Sequence, residues 1–246
     1  DWRTSGGPLV FNSIYTSEHY DARLEQPGWS SPGFDDSAWG GVMYRGAPSQ
    51  RVTAQQTVPI RNVTEYRPRS VRKLDERSYL YDFGQNMAGV TKLRLRGEAG
   101  TQLRLIHAER LREDGHADLS NIDVYFRPTD KDDLFQTDVV TLSGRDDEFM
   151  PRFNYKGFRY VEVVADRPVE LSAENLTAYA MHSDVTPVGH IETSNDLVDK
   201  LWDATNKAYL SNLMGYPTDC PQREKNGWTG DGHLAMDLAL LNYDGM

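Results

Sequence analysis

The sequence predicts a mainly β chain that turns helical at its C-terminal end: an antiparallel β-sandwich followed by a pair of helices. Two observations carry this. Between residues 56 and 182, short apolar-alternating runs are separated by glycine-containing turns, the mark of strands with one wet face. From about residue 192 the apolar spacing lengthens from two residues to about 3.6, the period of an amphipathic helix.

The elements follow in order. Residues 1 to about 50 are irregular and aromatic; "GWSSPGFDDSAWGGV" offers Gly, Pro, Ser or Asp at almost every turn position. Its rings Trp29, Phe34 and Trp39 are expected to dock on neighbouring structure, since burial is the commoner use of an aromatic; a sugar platform is the other reading. "SYLYDFG" (78–84), "GVTKLRLRG" (89–97) and "TQLRLIHAE" (101–109) read as three strands with turns between them. Further strands are expected in 137–144, 152–164 and 169–182. Residues 110–136 form a long polar connection whose acidic run Asp130, Asp132, Asp133 lacks the glycine and spacing of a calcium loop and reads as solvated.

The helical pattern places Leu197, Leu201, Ala208 and Leu213 near one face, with Val198, Trp202 and Tyr209 beside them. Ser194 or Asp196 is the expected N-cap, Gly215 the left-handed stop, and Pro217 a block to continuation. A second helix is expected from Thr229 or Asp231 through "HLAMDLALLN". The expected division is 1–55, the end of an N-terminal β-domain with its linker; 56–188, the sandwich; and 189–246, the start of a helical domain whose wide apolar faces find few partners here and invite self-association.

Composition narrows the function. The formal net charge of −10 repels phosphate backbones, so nucleic acid is not the expected partner. No apolar run approaches the roughly 20 residues of a membrane-spanning helix. The single cysteine, Cys220, leaves the redox compartment open and offers no Cys-based metal site. It reads as a small packed residue, and His233 as a helix-start residue; no metal or cofactor is expected.

Between the two helices "YPTDCPQREKNGWTGDGH" (216–233) gathers three acids, two bases and an indole in a stretch broken by Pro and Gly. Loops joining helices at one end of a domain are where sites are commonly built. A glycosidase needs a protonated carboxylic acid for the leaving oxygen and a second carboxylate to activate water or attack the sugar. Carboxylates also bind sugar hydroxyls through charge-assisted hydrogen bonds, and an indole offers a flat apolar surface to a sugar ring. Were Asp219, Glu224 and Asp231 to converge, like charges would raise the pKa of Glu224. Arg223 would oppose that shift and is expected to bond elsewhere. A salt-bridged, solvated connector is the other reading of the same residues.

"DCPQREKNGWTGD" closely resembles the motif of bacterial α-L-rhamnosidases of glycoside hydrolase family 78. "IYTSEHYDARLEQPGWSSPGFDDSAW" is similar to the junction closing their N-terminal sandwich, and "YDFGQNMAGVTKLRLRGEAGTQLRLIHAERL" and "PRFNYKGFRYVEV" to their concanavalin-type sandwich. The resemblance implies that an (α/α)6 barrel follows the sandwich, and that L-rhamnose is released from non-reducing ends with inversion. It also implies that Glu224 is the general acid, Asp219 and Asp231 bind sugar hydroxyls, and Arg223 and Trp228 line the pocket. The general base it implies is a glutamate beyond residue 246. The competing expectation is a non-catalytic carbohydrate-binding or scaffold module built on the sandwich, which has no use for a general acid.

Overall fold

The computed structural model describes residues 2–123, 126 and 133–244. Ten strands form one curled sheet: β1 (Leu9–Asn12), β2 (Glu18–Asp21), β3 (Ile60–Tyr66), β4 (Ser70–Lys73), β5 (Ser78–Arg96), β6 (Gln102–Ala108), β7 (Thr137–Thr141), β8 (Asp146–Phe149), β9 (Lys156–Ala165) and β10 (Leu176–Ser183). The order is β1-β2-β7-β6-β9-β5-β10-β3, with β4 and β8 also paired to β5. All pairs are antiparallel except β2 with β7, which run parallel. Two helices follow, α1 (Asp196–Ser211) and α2 (Thr229–Asn242). The change from strand to helix thus falls where the apolar period changes. Among the described residues no helix is long and apolar enough to cross a membrane.

The 19-residue β5 organises the sheet. Its first part, Ser78–Asp82, pairs with Tyr160–Val164 of β9, and its later residues pair with β10 and then β8. The sequence predicts two strands here with a turn between; the structure runs one strand through. Gly84 does adopt the left-handed conformation of a turn residue, with φ of 75°. It acts as an irregularity within the ladder, where β9 slips register between Phe158 and Tyr160. Such a bulge bends a strand without ending its pairing. Five residues on, a Cβ at Gly89 would lie 1.9 Å from the Tyr179 carbonyl oxygen, so only glycine lets β5 and β10 approach this closely.

The curled sheet closes on a core containing Tyr81, Leu93, Leu103, Leu105, Phe158, Val161, Val163 and Leu176. Leu103 and Leu105 are fully buried while their neighbours Gln102 and Arg104 face out, as strand alternation requires. A polar layer lies beside this core. Lys156 Nζ bonds Asp138 Oδ1 at 2.7 Å and Asn154 Oδ1 at 2.6 Å, with both charged side chains almost wholly buried. Asp138 Oδ1 also accepts the backbone N–H of Glu18, tying the N-terminal segment to the sheet.

Four further expectations need correction. Trp29 does not dock; it is 64% exposed, whereas Phe34 and Trp39 pack on each other and the Trp39 indole donates to Gln26 Oε1. Asp130 and Asp132 lie outside the described residues, but Asp133 is buried and accepts the Thr16 hydroxyl, so it is not solvated. The N-cap of α1 is neither Ser194 nor Asp196: Asn195, between them, is extended and accepts the Leu197 N–H at 3.0 Å. Finally, α1 stops at Ser211 with Asn212 as its C-cap, and Gly215 (φ of 83°) serves the tight turn beyond.

The helices are only thinly buried. Tyr209, Leu213 and Ala239 form their own small cluster, and Thr186–Pro187 pairs with Tyr243–Asp244 in a separate two-stranded sheet. Leu197, Leu201, Leu234, Leu240 and Leu241 are more than half exposed.

Candidate active site

The connection between α1 and α2 is built outward from the end of β10. Ser183 donates its N–H to Leu213 O at 2.8 Å, and its hydroxyl oxygen accepts the Gly215 N–H at 2.8 Å. Asn212 O then receives the Thr218 N–H at 2.7 Å and its hydroxyl at 3.1 Å. These bonds fix where residue 219 starts.

From Asp219 to Asn226 the chain closes a ring. Asp219 N–H donates to Asn226 O at 3.0 Å, and Asn226 N–H donates back to Asp219 Oδ1 at 3.0 Å. Inside the ring sits buried Cys220, whose thiol donates to Asp219 Oδ2 at 3.3 Å while its sulfur accepts the Glu224 N–H at 3.4 Å. Cys220 is thus a packed spacer between the two carboxylate-bearing residues, as expected. Trp228, just before α2, donates its indole N–H to Glu224 Oε2 at 3.0 Å. That bond holds one carboxylate oxygen and so sets the direction of the other. The indole itself is 54% exposed, leaving a flat apolar face open.

The predicted residues are therefore brought together in part. Glu224 and Trp228 are directly bonded. Asp219 and Arg223 line a cavity of about 490 Å³ that is walled on the sheet side by Gln85, Asn86 and Glu109 and on the helix side by Asp203 and Lys207. Asp219 and Asp231 line a second one of about 330 Å³ between the helices. Asp219 is common to both. Asp231 lies in the first turn of α2, where a carboxylate complements the partial positive charge of the helix N-terminus. Glu224 borders neither cavity, and no single cluster unites the three acids. Among the described residues no group of His, Cys, Asp and Glu is arranged to hold a metal ion.

Four residues at the site, Gln222, Glu109, Asn86 and Lys225, escaped sequence reasoning. Gln222 donates to Glu109 Oε1 at 2.6 Å, joining the loop to the end of β6; Asn86 of β5 donates to the same oxygen at 3.1 Å. Lys225 is buried, with its Nζ 2.6 Å from Tyr155 O and 2.8 Å from Ile14 O. Burial, and then the nearby Lys156 charge, hold its ammonium well below the ordinary lysine range, against the opposing pull of Asp138. No periodicity marks these residues, because their partners lie far away in sequence. Only the abundance of long polar side chains in the loop signalled that it bonds to something.

A curled, mostly antiparallel sheet thus delivers an α-hairpin whose connection carries carboxylates and an indole. The comparisons with known proteins give this architecture a family. The model of the bacterial alpha-L-rhamnosidase concanavalin-like domain matches residues 72–182, and that of the 6 hairpin glycosidase domain of the same enzymes matches residues 186–246. The alpha-L-rhamnosidase N-terminal domain matches residues 1–64. Alpha-L-rhamnosidases of Streptomyces avermitilis and Formosa agariphila are 39% and 34% identical over 99% of this chain. The chain spans about a quarter of their length, 23% and 25% respectively. Among solved structures, the alpha-L-rhamnosidase from Dictyoglumus thermophilum superposes with a TM-score of 0.89 at 37% identity, over 99% of this chain and 27% of that one. The Streptomyces avermitilis enzyme complexed with L-rhamnose gives 0.87 at 37% identity, over 99% and 23%. The chain belongs to the bacterial α-L-rhamnosidase family.

Proposed function

We propose that this chain carries the acid half of an inverting α-L-rhamnosidase site, in an enzyme that releases terminal L-rhamnose from rhamnosides. Glu224 is the general acid that protonates the leaving oxygen. Asp219 and Asp231 accept hydrogen bonds from sugar hydroxyls, Arg223 lines the pocket, and Trp228 packs on the sugar and orients Glu224. The general base, which the family resemblance places beyond residue 246, is a second carboxylate roughly 6.5–9.5 Å from the acid, acting through water on the opposite sugar face. In this reading residues 1–55 end an N-terminal β-domain, 56–188 are the sandwich, and 189–246 open an (α/α)6 barrel.

The observation that carries the reading is the Trp228 indole bond to Glu224 Oε2 at 3.0 Å. It gives one carboxylate of the loop a fixed direction beside an exposed aromatic face, which a solvated connector has no need of. The rhamnose complex of the Streptomyces avermitilis relative supports the sugar. The test is Glu224→Gln in the full-length enzyme. Turnover should fall by about 10²–10⁴-fold on rhamnosides with poor leaving groups. Activated aryl rhamnosides need less proton assistance and should lose less. Equal losses on both substrates would assign Glu224 another role.

A further inference from the structure

Glu224 and Lys225 are neighbours in sequence but serve opposite surfaces. Lys225 adopts a left-handed backbone, φ of 53°, which a side chain other than glycine seldom takes without support from its surroundings. The twist leaves Glu224 half-buried under the Trp228 indole and sends Lys225 into the protein, where it is 5% exposed. Its Nζ reaches carbonyls from two distant segments, Tyr155 just before β9 and Ile14 between β1 and β2, and sits 4.5 Å from the centre of the Tyr155 ring. A buried lysine is a poor way to gain stability, because an apolar side chain of similar volume avoids the desolvation cost. What its N–H donors add is direction: their bonds fix the position of the backbone that bears them.

The neighbouring contacts act in the same sense. Gln222 is tied to Glu109, and the Pro221 and Gln222 side chains lie against Gly157 of β9, where an added Cβ would come within 2.9 Å and 2.7 Å of them. The loop is thus seated on the sheet at each side of Glu224.

We propose that Lys225 is a positioning residue for Glu224: by bonding Tyr155 O and Ile14 O it locks the left-handed turn that aims the acid, so the β-sheet sets the catalytic geometry. The inference rests on the acid role of Glu224. It is tested in the full-length enzyme with Lys225→Met, which keeps an unbranched side chain one atom shorter and removes its donors, and with Lys225→Arg, which restores donors. Displacing a reacting group by about 1 Å can cost about 10²-fold. Lys225→Met should therefore lose about 10- to 10²-fold in kcat on rhamnosides with poor leaving groups and only a few-fold on activated aryl rhamnosides, with Lys225→Arg recovering part of the difference. Wild-type behaviour of Lys225→Met, or the same fractional loss on both substrates, would overturn the proposal. Should Lys225→Met fail to fold, Gln222→Ala removes the second tether at a half-exposed position and is read by the same ratio; wild-type behaviour or an equal loss on both substrates overturns the proposal there too. Glu224→Gln run alongside separates the failures. If it lacks the leaving-group selectivity, the acid assignment itself falls; if it has that selectivity and the Lys225 and Gln222 variants do not, only the positioning role falls.

Discussion

Acid should weaken this fold through His107. The imidazole is fully buried on β6, and burial, reinforced by Lys156 and opposed by Asp138, lowers its pKa from 6.5 to about 4. Its bonds specify the neutral ring. Nδ1 lies 3.2 Å from Gln136 O, an atom that can only accept, so Nδ1 carries the proton and Nε2 accepts the Thr91 hydroxyl at 2.9 Å. Between pH 6.5 and 4 the unfolded chain binds a proton that the folded chain refuses, so stability falls as pH falls through that window and levels off below about pH 4. With these two values the linkage relation gives a cost of about 2 kcal/mol on going from pH 7 to pH 5. His107→Asn keeps a donor for Gln136 O and has no proton to take up. It will lower stability at pH 7, but the pH 7-to-5 decrement should shrink by about 2 kcal/mol relative to wild type. Urea unfolding of both chains at the two pH values measures the difference. An unchanged decrement in His107→Asn would refute the reasoning and place the acid sensitivity elsewhere.

Three other outcomes follow from the site. In the full-length enzyme Asp231→Asn should weaken rhamnose binding and turnover by about 1.5–3 kcal/mol, the worth of a charged hydrogen bond; unaltered rhamnose affinity by calorimetry would remove the sugar-contact role. Asp219→Asn should do the same and also loosen the ring to Asn226 and Cys220, so its effect should exceed that of Asp231→Asn, and equal effects would deny it the bracing role. The 246-residue chain alone should release no rhamnose from an aryl rhamnoside, because the proposed base lies outside it; release that disappears in Glu224→Gln would show that these residues supply a base of their own.

How much of the molecule is legible in its sequence depends on how local each cause is. The Leu103–Leu105 alternation reports a strand because the pleat repeats every two residues, and the spacing of Leu197, Leu201 and Ala208 reports α1 because a helix turns every 3.6. Boundaries are less legible. Gly84 reads as a turn because left-handed glycine usually is one, and only the pairing of β9 along both halves of β5 turns it into a bulge. Asn195 loses to its neighbours because Ser, Asn and Asp are nearly equivalent caps, and a one-residue offset of the helix decides among them. Trp29 misleads because an aromatic without a defined partner defaults to burial. At the candidate site, the sequence singles out Glu224 and Trp228, which the structure joins by a hydrogen bond, but it gives no sign of Lys225. A lysine between Glu224 and Asn226 looks solvated until Tyr155 and Ile14, 70 and 211 residues away, are brought beside it.

That distance bears on how the site is held. The helices carrying the loop bury only a small cluster between themselves, and the outward faces of α1 and α2 keep Leu197, Leu201, Leu234 and Leu241 largely in solvent. Such a hairpin gains little from its own packing, so it cannot by itself hold a carboxylate within the fraction of an ångström that the proposed proton transfer demands. The sheet can. Its core is continuous and its strands are paired through β9, β5 and β10, and it presents Glu109, Gly157, Tyr155 and Ser183 to the loop as fixed points. Substitutions in the sheet beneath the loop should consequently change rate before they change fold. The Gly157 position is the sharpest case, since the atoms nearest to a Cβ added there all belong to Pro221 and Gln222 of the loop.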